Sequence, residues 1–180
     1  MPVYLINGAS GTGKTAIGHE LQKRGFRVID SDEELSYFAN LETEEPIEYP
    51  EGTPDESWYK VNGLIWDRKK IEKVLEEGKR ETIFIAGAGI NDHEYYPRLT
   101  KIFRLYTDPE ILVQRLQNRA PDHPTNNPLF IRKMVDLVKA SKPDAENCGW
   151  ELIDTTSKTV EQSVDEIIAK TTMKKEAQNG

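Results

Sequence analysis

Val3-Tyr4-Leu5-Ile6-Asn7-Gly8-Ala9-Ser10-Gly11-Thr12-Gly13-Lys14-Thr15 is the stretch on which the reading of this chain turns. Residues 3–6 are a short continuous apolar run, the pattern of a strand buried on both faces. The run breaks at Asn7-Gly8, and residues 8–15 then match G-x-x-x-x-G-K-[ST] at every position. Gly8, Gly11 and Gly13 permit positive φ and let backbone approach an anion with no Cβ in the way. Gly8, Ala9, Ser10, Gly11, Thr12, Gly13, Lys14, Thr15 and Ala16 would turn successive N–H groups into one concavity that favours negative charge. The helix that follows adds unpaired N–H groups and the positive end of its dipole. In such a loop the lysine, Lys14, reaches the β- and γ-phosphates, and the hydroxyl of Thr15 is placed to ligate Mg²⁺. The stretch predicts a site for ATP or another nucleoside triphosphate.

Composition narrows the setting. With 180 residues, 37% hydrophobic and 31% charged, the chain suits one globular domain with a substantial core. Net charge is −7 and the sequence pI is about 5.1, which argues against nucleic acid or an anionic membrane as partner. No apolar stretch approaches the length of a membrane span, and Met1-Pro2 runs straight into the first strand, so a cytoplasmic protein is expected. The single cysteine, Cys148, excludes a disulfide framework and is expected as a buried or half-buried structural thiol. His19, His93 and His123 show no metal-ligand spacing. A monomer or a homodimer fits equally well.

Working outward, a first helix is predicted over 13–24, with Ile17 and Leu21 inward and Gly25 as its stop. A second short strand covers 26–30. Residues 40–56 carry Pro46, Pro50, Gly52 and Pro54 among many carboxylates, and read as a long surface excursion. Helices are predicted at 55–61 and 67–77, interrupted at Asn62-Gly63. Strands follow at 82–86, 101–106 and 150–154. Asp108-Pro109 and Asn127-Pro128 each pair a capping residue with a proline at the first helical position. They predict helices to about Arg119 and about Ala140. Val160, Val164, Ile167 and Ile168 form the stripe of a last helix, and 173–180 have no pattern and read as a disordered tail. Short apolar strands alternating with helices give parallel βαβ units, hence a three-layer α/β fold in one domain, residues 1–172.

Asp30-Ser31-Asp32 stands at the end of the second strand, where ligands of open α/β sheets collect. Phosphoryl transfer needs metal charge over the β- and γ-oxygens and a group that orients or deprotonates the acceptor hydroxyl. Two carboxylates at i and i+2 can divide those tasks. Alternatively, Asp32 simply caps the helical turn that begins at 32–35.

At this point the sequence resembles a family. Residues 13–19 with 26–35, Gly-Lys-Thr-Ala-Ile-Gly-His and Phe-Arg-Val-Ile-Asp-Ser-Asp-Glu-Glu-Leu, look like the opening of the shikimate-kinase-like P-loop kinases. Gly87-Ala88-Gly89 resembles their glycine motif after strand 3, residues 112–119 their arginine helix leading into a lid, and 153–156 the loop bordering the adenine. The resemblance implies a five-stranded parallel sheet ordered 2-3-1-4-5, an acceptor-binding segment near 36–66 and a lid near 119–130. It implies Asp30 at the Mg²⁺, Asp32 at the acceptor hydroxyl, Arg115 on the adenine with Asp154 and Thr155 beside it, and Arg119 on the phosphates. Lys14, Asp32 and Arg119 would be the catalytic set. The chain also departs from that pattern. True shikimate kinases carry an arginine in the acceptor segment, whereas no Lys or Arg lies between Arg27 and Lys60. Ala88 stands for a glycine, and 120–127 hold no arginine, leaving Arg132 or Lys133 as the nearest replacements.

The acceptor surface is expected to use Asp32, Trp58, Trp66 and the Gly87-Ala88-Gly89 turn, with the tryptophans either stacking a substrate or packing the segment onto the body. From Val28 through Tyr59 there are eleven Asp or Glu and no Lys, Arg or His. A bare anion would be repelled there, so a neutral or cationic small-molecule hydroxyl acceptor is expected. The leading reading is a kinase moving the γ-phosphate of ATP, with Mg²⁺, to such a hydroxyl. A nucleoside or nucleotide kinase is the second, and an ATP-binding switch with slow hydrolysis the third. Neither an Asn-Lys-x-Asp guanine motif nor an apolar strand ending in Asp-Glu is present.

Overall fold

A strand buried on both faces has to feed two layers. Along β1 (Val3–Asn7), Val3 and Leu5 point into one core and Tyr4 and Ile6 into the other. The computed structural model describes residues 1–51, 54–120 and 127–172. Around β1 lie β2 (Arg27–Asp30), β5 (Ile83–Ala86), β6 (Lys101–Tyr106) and β7 (Glu151–Asp154), all parallel, in the order β2-β5-β1-β6-β7. Counted among the five strands of this sheet, that is the 2-3-1-4-5 order expected. The strand order runs outward in opposite senses from β1, which places the end of β1 at the switch point.

One face of the sheet is covered by α1 (Lys14–Lys23) and α6 (Val160–Thr172), where Ile17, Leu21, Val164 and Ile167 meet Phe84, Phe103 and Leu105. On the other, α3 (Arg68–Glu77) contributes Ile71, Val74 and Leu75 beside Trp66 and Tyr95. A third cluster joins α4 (Pro109–Gln117) and α5 (Pro128–Cys148), where Leu112, Leu116, Met134 and Val138 close on Ala9 of the glycine loop. Both predicted cap-proline starts are present: Asp108 accepts from the Glu110 N–H and Asn127 from the Leu129 N–H.

Three differences from the sequence reading have physical reasons. The acceptor segment is not only excursion and helix: β3 (Ser36–Asn40) and β4 (Asn62–Trp66) pair antiparallel, with α2 (Glu56–Val61) between them. Their pairing spans a connection of some twenty residues, beyond the reach of local turn signals. Second, α5 passes Pro143 and runs to Cys148. Its inner face, Met134, Val138, Ser141 and Ala145, stays buried at helical spacing, and Gly149, at φ 68°, closes it with a Trp150 N–H to Ala145 C=O bond. Third, Cys148 is exposed rather than buried, because it falls on the outer face of that continued helix. The expected tail at 173–180 and half of the expected lid, 121–126, lie outside the described residues. Among the described residues no helix is long and apolar enough to cross a membrane.

Candidate active site

The glycine loop carries positive φ at Gly8 (157°), Gly11 (90°) and Gly13 (105°). Gly13 leads into α1 with no side-chain cap and no acidic residue in the first turn, so the helix N-terminus stays open to an anion. The Thr12 hydroxyl donates to the Ala9 carbonyl at 2.7 Å and braces the loop from inside. Lys14 is half-buried and its ammonium donates to the loop's own carbonyls, Gly8 at 2.8 Å and Ala9 at 3.3 Å. Desolvation lowers its pKa to about 8, against the pull of Asp32. Thr15 and Ala16 are exposed on the first turn of α1.

Two arginines of the α4 region converge on this loop. Arg115 donates to the Thr155 carbonyl at 2.8 Å and its hydroxyl at 3.2 Å, and to the Gly11 carbonyl at 3.5 Å. Arg119 donates to the Ser10 hydroxyl at 3.3 Å, and desolvation draws its pKa down. A cavity of about 250 Å³ lies beside the loop, walled by Gly11, Thr12, Gly13, Ala16, Arg115 and Thr155 together with Lys158, Thr159, Val160 and Ser163. The sequence reading stopped at residue 155 and missed the last four. Their signal was the Thr159–Gln162 start of α6, where each residue's side chain accepts the other's N–H. Asp154 is not part of this wall. Its carboxylate accepts the Thr156 N–H and O–H, so it shapes the loop rather than touching the cavity.

Across the cleft, Asp30 and Asp32 differ in their contacts. Asp30, not Asp32, caps the turn at Ser31–Leu35: its carboxylate accepts the Asp32 N–H at 3.0 Å, while the Glu34 carboxylate accepts the Asp30 N–H. Asp32 is thereby left toward the cleft. Its carboxyl is pushed up, chiefly by desolvation with help from Asp30, and Lys14 opposes the shift. Gly87 fixes this spot. It sits at φ 142°, and a Cβ there would fall 1.9 Å from the Ser31 hydroxyl oxygen and 3.3 Å from an Asp32 carboxylate oxygen. Only glycine allows β5 to deliver its loop so close to Asp32.

Ala88 and Gly89 then line a second cavity, of about 350 Å³, with Phe38, Tyr59, Asn62, Gly63, Leu64, Ile90 and Lys133. Two expected acceptor residues are corrected here. Trp66 is 0% exposed, stacked on Tyr95 in the core at 6.0 Å, and offers no face to a substrate. Trp58 is half-buried and packs on Phe38, Tyr49 and Tyr59, behind the cavity wall instead of on it. Phe38 and Tyr59 take the facing positions, which only the hairpin pairing reveals. The wall is held in place by Asn91, whose side chain accepts from the Trp66 N–H at 2.8 Å and donates to the Trp66 carbonyl at 3.1 Å. Among the described residues no three His, Cys, Asp or Glu cluster as a metal site.

A family model described as an AAA domain matches residues 5–128. A putative adenylate kinase of Methanocaldococcus jannaschii is 31% identical over 176 residues, covering 95% of this chain and 86% of that one. The chain belongs to the P-loop kinases. A shikimate kinase of Bacillus cereus is 28% identical over 93% of this P-loop kinase and 96% of its own length. Among solved structures, the shikimate kinase of Acinetobacter baumannii in complex with shikimate superposes with a TM-score of 0.62 at 22% identity, covering 98% of this chain and 96% of that one. That last likeness concerns the fold. Membership makes the chain an ATP-dependent small-molecule kinase.

Proposed function

We propose that the chain transfers the γ-phosphate of ATP to a hydroxyl of a compound bound in the 350 Å³ cavity. The observation that carries this is Gly87, which joins the two halves: one neighbour is Asp32, and the next residues, Ala88 and Gly89, wall the cavity. Adenine and ribose fit the 250 Å³ cavity beside Arg115 and Thr155, and the phosphates fit the open end of α1.

Asp32 accepts the proton of the acceptor hydroxyl as its oxygen bonds to the γ-phosphorus, while the bond from phosphorus to the β–γ bridging oxygen breaks and ADP leaves. A carboxyl raised by desolvation is a stronger base than an ordinary one, which suits that task. Lys14 exchanges its loop carbonyls for phosphate oxygens, and Arg119 meets the transferring group from the other side. The Thr15 hydroxyl and the Asp30 carboxylate are hard oxygen donors that fit Mg²⁺, and hydrogen bonding fixes the Asp30 carboxylate. The metal, when bound, neutralises charge on the β- and γ-oxygens.

The acceptor was expected to be neutral or cationic because of the acidic run from Val28 to Tyr59. Of those eleven carboxylates none lines the 350 Å³ cavity, and Asp30 and Asp32 stand at its reacting end beside Gly87. The test of the reading is an ADP-release screen over sugars, nucleosides, amino alcohols and small acids with Mg²⁺-ATP. At least one compound should stimulate release well above the basal rate. Asp32→Asn should abolish the stimulation and remove the acid limb of the pH profile. A panel without any stimulating compound, at undiminished ATP affinity, would favour the alternative of a slow ATP-binding switch.

A further inference from the structure

Among the described residues one charged side chain is fully buried, and it lines neither cavity. It is Asp92, at 6% exposure, in the first turn of the 3₁₀ helix Asp92–Arg98 that follows the Gly87-Ala88-Gly89 turn. Both carboxylate oxygens are used. One accepts the Gly89 N–H at 3.4 Å and the other the Tyr96 hydroxyl at 2.8 Å, while the Asp92 N–H donates back to the Gly89 carbonyl at 3.1 Å. Burial, with Asp92 beside it, keeps the Tyr96 phenol protonated, so it stays a donor. The same hydroxyl meets the side chain of Asn7, the last residue of β1 and the one before Gly8. The side-chain oxygen of Asn7 in turn accepts from Arg104 at 3.4 Å, and Arg104 donates to the Ser141 hydroxyl at 3.1 Å. Asn7 and Ser141 are buried as well, and Arg104 is close enough to draw on the Asp92 charge. The contacts lead from the acceptor turn to the stem of the phosphate loop.

We propose that Asp92 is a positioning residue for the transfer: through Tyr96 and Asn7 it braces the Gly89 turn against the phosphate loop, so that acceptor and nucleotide are held in one register. The proposal rests on the preceding assignment of the second cavity to the acceptor. A carboxylate taken out of water is costly unless hydrogen bonds and a counter-charge satisfy it, and a buried polar network is rigid only when every member is paired. A residue that merely capped its own helix would need the Gly89 bonds but neither Tyr96 nor Asn7. Because Asp92 lines neither cavity, it acts on the distance between the reacting groups and not on either ligand directly. Transfer is sensitive to such placement, a displacement of about 1 Å costing about a hundredfold.

Hydrogen exchange read on peptides tests the brace without an acceptor. Mg²⁺ with a non-hydrolysable ATP analogue should slow exchange at 8–16 and also, by about threefold or more, at 88–96, which line no part of the nucleotide cavity. Tyr96→Phe and Asp92→Ala should keep the first protection and lose the second. Asp92→Asn, whose amide can still accept from Gly89 and donate to the Tyr96 oxygen, should restore most of it. Val74→Ala, a core truncation on α3 that lines neither cavity, should lower stability and keep both protections. ADP release with AMP, adenosine, shikimate and gluconate then reads the transfer. Tyr96→Phe and Asp92→Ala should each lower the acceptor-stimulated kcat about tenfold or more, with ATP affinity and acceptor-free hydrolysis within about twofold. The proposal is overturned by an absence of protection at 88–96 in the unsubstituted protein, by its survival in Tyr96→Phe, or by equal losses of the stimulated and acceptor-free rates. A panel without stimulation, at intact analogue binding, strikes the acceptor assignment instead, while the exchange pattern still decides whether the brace exists.

Discussion

The two sides of the cleft are built by different means. On the phosphate side, β1, the glycine loop and α1 are contiguous, and what they present is backbone: N–H groups, a helix end, three glycines at positive φ. On the acceptor side, one cavity draws Phe38 from β3, Tyr59 from α2, Leu64 from β4, Ala88 from the loop after β5 and Lys133 from α5. A backbone-built site leaves a linear motif, whereas a site assembled from five distant elements leaves none. This contrast explains what could be read before the structure. Residues 8–16 were legible because the motif is local, and the sheet order through the family resemblance that the motif helps to carry. Asp30 and Asp32 were legible as a pair, but which of them caps the turn depends on Glu34 reaching back to the Asp30 N–H. For Trp66 the sequence leaves stacking on a substrate and packing in the core both open, because it shows an aromatic but not its burial. In sequence Lys133 stands only as a replacement for a lid arginine, since nothing there places it against Tyr59.

The contrast can be broken or sharpened by mutation. The largest effect is expected at Trp66, which is core and not contact surface. Trp66→Ala should cost about 3–5 kcal/mol of stability in chemical denaturation. Trp58→Ala, half-buried behind the wall, should cost distinctly less. Equal losses would mean that the two tryptophans do not differ as described.

Lys14→Ala comes next and addresses the phosphate side. Removing one preorganised donor to the transferring group costs about 3–4 kcal/mol, a loss of several hundredfold in turnover. The fold should be retained, since among the described residues the ammonium hydrogen-bonds to loop carbonyls alone. Steady-state rates alongside thermal melts check both halves.

A smaller effect follows from the pKa of Lys14, lowered to about 8. Above that pH the free protein must take up a proton before its ammonium can meet phosphate, so ATP affinity should fall by up to tenfold per pH unit between 8 and 9. Stability has the opposite sign. The unfolded lysine keeps its proton up to about 10.5 and the folded one only to about 8, so Lys14 makes the protein more stable as pH rises through that window. Acceptor affinity, which does not involve Lys14, should not follow the same curve. Isothermal titration across pH 7–9.5 separates the two sides.

The smallest effect is the cap of α5, the helix that brings Lys133 to the cavity. Asn127→Ala removes the bond to the Leu129 N–H and should cost about 1 kcal/mol. It should weaken acceptor and ATP binding together, because the start of α5 borders the second cavity at Lys133 and packs on the glycine loop at Met134. A loss confined to one ligand would mean that α5 serves only one of the two sides.

The central claim is that the two sides meet for transfer of phosphate to a hydroxyl compound and not to water. The direct measurement is the product balance during turnover of γ-labelled ATP with the stimulating acceptor. One labelled, phosphorylated acceptor formed per ADP, with little free phosphate, is the predicted result. ADP matched by free phosphate, with no label on the acceptor, would contradict it.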